Sequence, residues 1–270
     1  MRVWFLLAAI VLAVPTAALG QGDPLARAHE QYNRQQYDDA IRFATEAQAL
    51  PAAAASAAIV LSRAHLERFR QTSDLVDLDA ARGALVGVDS AAIGPRDRVD
   101  WTIGMGELLY FDRHFSAAAE FFEVGLAHVD LLEPDARERL VEWWAGALDQ
   151  QAQLGPIPDR QVIYRRIRDR AEEELRRDDR SPVASYWLSA AAAGVNDFDR
   201  AWGAAEAGWL RGSPSAPARE KLRNDLDRLV TTVIAPERAR VLSPADPEAA
   251  MRLLLQDWEA FKTQYSAEAQ

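Results

Sequence analysis

Four histidines, His29, His65, His114 and His128, are the side chains of this sequence best placed to move a proton near neutral pH. The densest local groupings around them are His29-Glu30 and Asp112-Arg113-His114. General acid–base work needs such a pair beside a nucleophile, and neither grouping carries a nucleophile elbow. No His-Glu-x-x-His spacing occurs, and the sequence has no cysteine. A thiolate metal site is therefore impossible, and no metal site is expected. Gly104-Met105-Gly106 lacks the third glycine and the preceding strand of a dinucleotide loop. No Gly-x-x-x-x-Gly-Lys phosphate loop is present either, so no cofactor is expected. Scattered carboxylates could form a hydrolytic pair, as in glycosidases, but acidic helices are common and nothing in their spacing singles out two of them.

These residues sit in a chain of 270 with a net charge of −10 and a pI of about 5.0. That balance argues against a nucleic-acid surface, which carries clustered positive charge, and against a polybasic membrane patch. Residues 1–20 read as a signal peptide: Arg2, an apolar run from Val3 to Val14, Pro15, then Ala18-Leu19-Gly20 as a cleavage site. The run is shorter than the roughly 20 apolar residues that cross a bilayer. The expected location is periplasmic or secreted by a Sec-type route, with no membrane span in the mature chain. A membrane-tethered assembly factor retaining this segment is the competing expectation.

Past residue 21 the signals are helical. Asp23-Pro24, Ser181-Pro182 and Asp246-Pro247 pair a capping residue with proline at the first helical position. Stripes of helical period run through Leu222, Leu226, Leu229 and Val233, and through Met251, Leu254, Leu255, Trp258, Phe261 and Tyr265. Between 159 and 180, charges crowd around the narrow stripe Ile163, Ile167, Ala171 and Leu175, with Arg168/Glu172, Arg170/Glu174 and Glu172/Arg176 spaced to pair. That segment reads as a solvated helix with one buried stripe. Trp143 and Trp144 diverge by about 100° on a helix, so they cannot face the same way: one is expected either exposed, as an anchor for a partner, or packed against a neighbouring unit.

An internal repeat organises these helices. Tyr37-Asp-Asp-Ala40, Phe115-Ser-Ala-Ala118 and Phe198-Asp-Arg-Ala201 share an aromatic followed three residues later by alanine, and Leu78-Asp-Ala-Ala81 is a weaker copy. Each strong copy opens a helix and follows another one. The unit with Met105-Gly106, Leu109-Tyr110, Phe115, Ala118, Phe122 and Gly125 resembles the tetratricopeptide repeat family. Thr102 departs from that pattern where the family often has tryptophan, and the closing proline is displaced to Pro134.

The resemblance implies an all-α fold: antiparallel helix-pair repeats stacked into a superhelical solenoid, with a C-terminal capping helix. It implies three regions, 1–20 as signal peptide, 21–211 as repeats and 212–270 as C-terminal helices packed on them. Tyr37, Ala40, Gly106, Phe115, Ala118, Phe122, Phe198 and Ala201 become packing positions, because small residues let helices approach where the aromatic fills the remaining space. The implied function is binding of a protein or peptide partner as a scaffold or adaptor, not catalysis, with no nucleic acid involved. Candidate partner-facing positions, on the first helix of each unit, are Leu25, His29, Tyr32, Asn33, Ile103, Glu107, Tyr110, Phe111 and Tyr186. The family's carboxylate-clamping groove uses lysine, arginine and asparagine, where this chain offers Leu25, His29, Ile103 and Glu107. An aromatic groove for an extended or helical peptide is expected instead. The other reading is a helical-repeat enzyme or enzyme domain acting on cell-envelope polymers.

Overall fold

A computed structural model describes residues 22–128, 131, 134–211 and 217–267. The expected signal peptide, 1–20, and the break at Gly212-Ser213-Pro214 lie outside the described residues. Every long element described is a helix, and consecutive helices pack in pairs. The chain divides into two compact units, one up to Ala84 and one from Leu85 onward.

The first unit holds α1 (Pro24–Asn33), α2 (Tyr37–Gln48), α3 (Ala54–Thr72) and most of α4 (Leu75–Val86). Asp23 caps α1 by accepting from the Leu25 N–H, and Pro24 fills a position whose N–H would have no partner. Ala28, Phe43, Ala44 and Val60 form one part of the core, and Tyr37, Ala40 and Ala64 another.

The second unit runs through α5 (Pro95–Phe111), α6 (Phe115–Leu126), α7 (Pro134–Leu154), α8 (Ile157–Arg177), α9 (Pro182–Gly194) and α10 (Phe198–Arg211). It continues with α11 (Pro217–Leu229), α12 (Ala235–Leu242) and α13 (Pro247–Ala267). Its main core gathers Ile103, Ala118, Phe122, Leu140, Trp144, Leu148, Ile167 and Trp187. A second cluster around Trp258 joins α9, α10, α11, α12 and α13.

The repeat is written into the backbone. The aromatics Tyr37, Phe115 and Phe198 are each the first residue of a helix, and Ala40, Ala118 and Ala201 are fully buried. Two residues before each aromatic stands a left-handed residue: Gln35 at φ 60°, Arg113 at φ 62° and Asn196 at φ 65°. The hydrogen bonds repeat as well. Gln35, Arg113 and Asn196 donate to Tyr32, Tyr110 and Ala193, and the next residues, Gln36, His114 and Asp197, donate to Gln31, Leu109 and Ala192. This is a Schellman ending, in which the left-handed residue turns the chain so that its own N–H and the next meet otherwise orphaned carbonyls. The backbone N–H of each repeat alanine then starts the following helix by donating to Gln36, His114 or Asp197. The weaker copy departs from this pattern: α4 opens at Leu75, three residues before Leu78.

The C-terminal stripe needs one correction. Val233 is 40 % exposed, whereas Val230 and Ile234 are fully buried. Residues Val230–Ile234 form a π-helical turn between α11 and α12. Pro236 has no N–H to return to Thr232, and its ring would meet that carbonyl in a regular helix. The widened turn accommodates it, with the Ala235 N–H reaching back to Val230. One extra residue in the turn rotates everything beyond it by about 100°, so Ile234 takes the inward place that a regular helix would give Val233.

Candidate partner-binding surface

The aromatic signal in α5 and α7 resolves into one cluster. Trp143 lies 5.0 Å from Tyr110 and 5.7 Å from Phe111, both nearly edge-on, and 5.9 Å from Phe122. Tyr110 also meets Phe115 at 5.3 Å. Edge-to-face contacts between rings hold their orientation as well as their burial. Tyr110, Phe111 and Trp143 remain half-buried, whereas Phe115 and Phe122 beneath them are interior. Of the tryptophan pair, Trp144 is the inward one, 1 % exposed.

Carboxylates rim the tyrosines. The Tyr164 hydroxyl donates to Asp149 at 2.8 Å, and the Gln153 amide donates to the same carboxylate at 2.7 Å. Burial raises the Asp149 pKa, opposed by these two hydrogen bonds. Burial also raises the Tyr110 phenol, helped by the charges of Asp149 and Glu142. Tyr186 of α9 is pushed up to about 12, by burial first and then by Asp225 and Asp149. Tyr110, Tyr164 and Tyr186 thus all sit within the field of Asp149. Tyr164 reaches its place because α9 ends in Gly194, where any β-carbon would collide with the tyrosine ring. Tyr186 packs edge-on against Trp187 at 5.1 Å. Chemically, this surface offers half-open aromatic faces for apolar contact, phenols for hydrogen bonding and carboxylates for a cation.

The other candidate positions divide. Ile103 is 6 % exposed and belongs to the main core, and Glu107 is 3 % exposed. Neither can face a partner, because α5 buries that side against its neighbours. In the first unit, His29 and Asn33 are exposed, and Leu25 is half-buried against the Ala28–Phe43 cluster. Tyr32 leans on Tyr37 at 5.9 Å with the Arg63 guanidinium over its ring. The structure brings Tyr110 and Phe111 into direct contact.

The histidines follow their surroundings. His114 is exposed in the turn before α6, and the Nδ1 of exposed His128 lies 2.9 Å from the Val124 carbonyl, one turn back on α6. His65 differs. Its Nδ1 lies 2.7 Å from the buried Asp77, which also receives the Arg68 guanidinium through Nε and a terminal nitrogen. Arg68 reaches Asp38 at 2.6 Å as well. The Arg68 hydrogen bonds hold Asp77 below the usual carboxylate range despite burial. This network ties α2, α3 and α4 at one point. Local sequence inspection passes over it because Asp77 stands twelve residues from His65. The only sequence signal is the placement of His65 and Arg68 on one face of α3 with an acid in the next helix. Among the described residues, no group of three or more metal-ligating side chains could hold an ion.

In comparisons with known proteins, no family model, curated protein or solved structure matches the chain. No helix among the described residues is long and apolar enough to cross a membrane.

Proposed function

We propose that this protein is an exported, tetratricopeptide-like scaffold or adaptor that binds a protein or peptide segment in the cell envelope. The observation that carries the reading is the half-open cluster of Tyr110, Phe111 and Trp143, whose rings meet edge-on above an interior layer and are bordered by Glu142 and Asp149. Rigid aromatics at a surface bind with little loss of side-chain entropy and are frequent anchors of interfaces. Three helix pairs closed by the same left-handed turn support a stacked repeat, the arrangement in which first helices line a common face. In this reading the α5, α7 and α9 side is the working surface, and 1–20 directs export.

The experiment is affinity capture from envelope extract with the full chain and with the double variant Tyr110→Ala, Phe111→Ala. A stoichiometric partner should be retained by the wild type and by His114→Ala, and lost by the double variant with its helix content intact. Retention by the folded double variant would overturn the assignment of this surface. Turnover of an envelope polymer with no captured partner would favour the enzymatic reading.

A further inference from the structure

A second feature lies between α6 and α8. It is a cleft of about 670 Å³ lined by Arg165, Arg166, Arg170 and Arg176, with Glu123 on one wall and Trp144 also lining it. Its charges are unevenly satisfied. Arg166 donates to Glu120 at 3.1 Å and to Glu123 at 3.2 Å, and Arg170 also pairs with Glu123. Of the lining acids, Asp169 bonds to Arg168 and Glu173 to Arg177, neither of which lines the cleft, and Glu173 also approaches the lining Arg170 at 3.6 Å. Glu172, one turn before Arg176, is taken by Arg200 of α10 at 2.5 Å. Among the described residues Arg165 donates to the Gln161 carbonyl of its own helix, and Arg176, with no hydrogen bond or close ion pair, acts on Glu173 only through its charge.

Two further details give the cleft a sign and a length. Trp144 is 1 % exposed and its indole N–H has no acceptor, so a buried donor in the lining is unsatisfied. Leaving such a donor unmade costs free energy that an acceptor would recover. Arg165 and Arg176 are eleven residues apart, which places them about 16 Å apart on the same side of α8. A single small anion cannot bridge that distance.

We propose that the α6–α8 cleft binds an acidic peptide segment, whose carboxylates pair with Arg165 and Arg176. Carboxylates are the chemistry the cleft already accepts, since Glu120 and Glu123, one helical turn apart on α6, occupy Arg166 and Arg170. Guanidinium and carboxylate match as planar, two-pronged partners. The site is separate from the aromatic surface and does not depend on it.

The test is calorimetric titration of the full chain with decaglutamate at low salt, alongside amide and indole NMR. Saturable binding should appear, and the Trp144 indole cross-peak, assigned through Trp144→Phe, should shift. Arg165→Gln with Arg176→Gln should lower the affinity at least tenfold without changing helix content, because both side chains are exposed and neither makes a close side-chain ion pair. Arg139→Gln with Arg252→Gln, exposed arginines elsewhere, should leave it unchanged. No saturable binding, equal loss in both double variants, or an unmoved Trp144 peak would overturn the proposal. Tighter binding of a polyphosphate of similar length would overturn the carboxylate assignment.

Discussion

The Phe122 ring occupies the space where a β-carbon on Gly106 would stand. That carbon would come within 2.5 Å of ring atom Cε1. Phe122 is completely buried and lies 5.9 Å from the Trp143 ring, so it has little room to retreat. Gly106→Ala should therefore destabilise the second unit by about 1–3 kcal/mol, the usual cost of overpacking a tight core. Thermal melting followed by circular dichroism measures it. An unchanged Tm would mean that α5 and α6 do not cross as closely as described.

Asp77 gives the first unit a pH dependence. Arg68 first, then His65, lowers its folded pKa below the unfolded value, with burial opposing them. In the window between the two values the unfolded chain binds more protons, so stability rises with pH there. The contribution is fully present above the ordinary aspartate range and is lost as pH falls through the depressed folded value. Asp77→Asn should cost about 3 kcal/mol at pH 7, the lower end for breaking a buried charge pair, since Arg68 keeps partial contact with water. Denaturant melts at a series of pH values should show the wild type and the variant converging below about pH 4. A constant gap down to strongly acid pH would refute the linkage.

What the sequence exposes and what it hides follow from range. The aromatic-x-x-Ala spacing places the openings of α2, α6 and α10 to the residue, because packing and helix start coincide there. The three capped prolines do the same for α1, α9 and α13, with Asp246 accepting from the Ala249 N–H. Local charge spacing serves less well on α8. Arg168/Glu172 and Arg170/Glu174 do approach, at 3.8 and 4.0 Å, but Glu174 is buried against Arg137 of α7 and Glu172 turns to Arg200. Those partners are 37 and 28 residues away, beyond any helical period. The same limit hides the outward or inward sense of Ile103 and Glu107, which depends on which neighbour covers α5. The left-handed turns are illegible for a different reason: the chain uses glutamine, arginine and asparagine where glycine would have announced them.

Arg113 makes that last point measurable. It holds φ 62° without being glycine or asparagine, whereas Asn196 holds φ 65° in the equivalent turn. A left-handed residue with a β-carbon costs roughly 1–2 kcal/mol, and asparagine tolerates it better. Arg113→Gly should raise the Tm, by an amount reduced by the greater freedom of glycine in the unfolded chain. Asn196→Gly should change it less. Differential scanning calorimetry of the two variants ranks them, and destabilisation by Arg113→Gly would contradict the turn geometry.

The π-helical turn after α11 supplies a test of register. In a regular helix Leu222, Leu226, Leu229 and Val233 would share one inward stripe, and Ile234 would point about 120° away from Leu222. With the extra residue at Val230–Ile234, Val230 and Ile234 are interior beside Leu226 and Trp258, and Val233 faces water. Aspartate distinguishes the two arrangements because a carboxylate is costly in a dry core and harmless at the surface. Ile234→Asp should cost about 3 kcal/mol or more, comparable to an uncompensated buried charge. Val233→Asp should stay within about 1 kcal/mol, as surface changes do. Urea unfolding at neutral pH gives both values. The reverse order, with Val233→Asp the more damaging, would restore the regular stripe and remove the account of Pro236 as the cause of the widened turn.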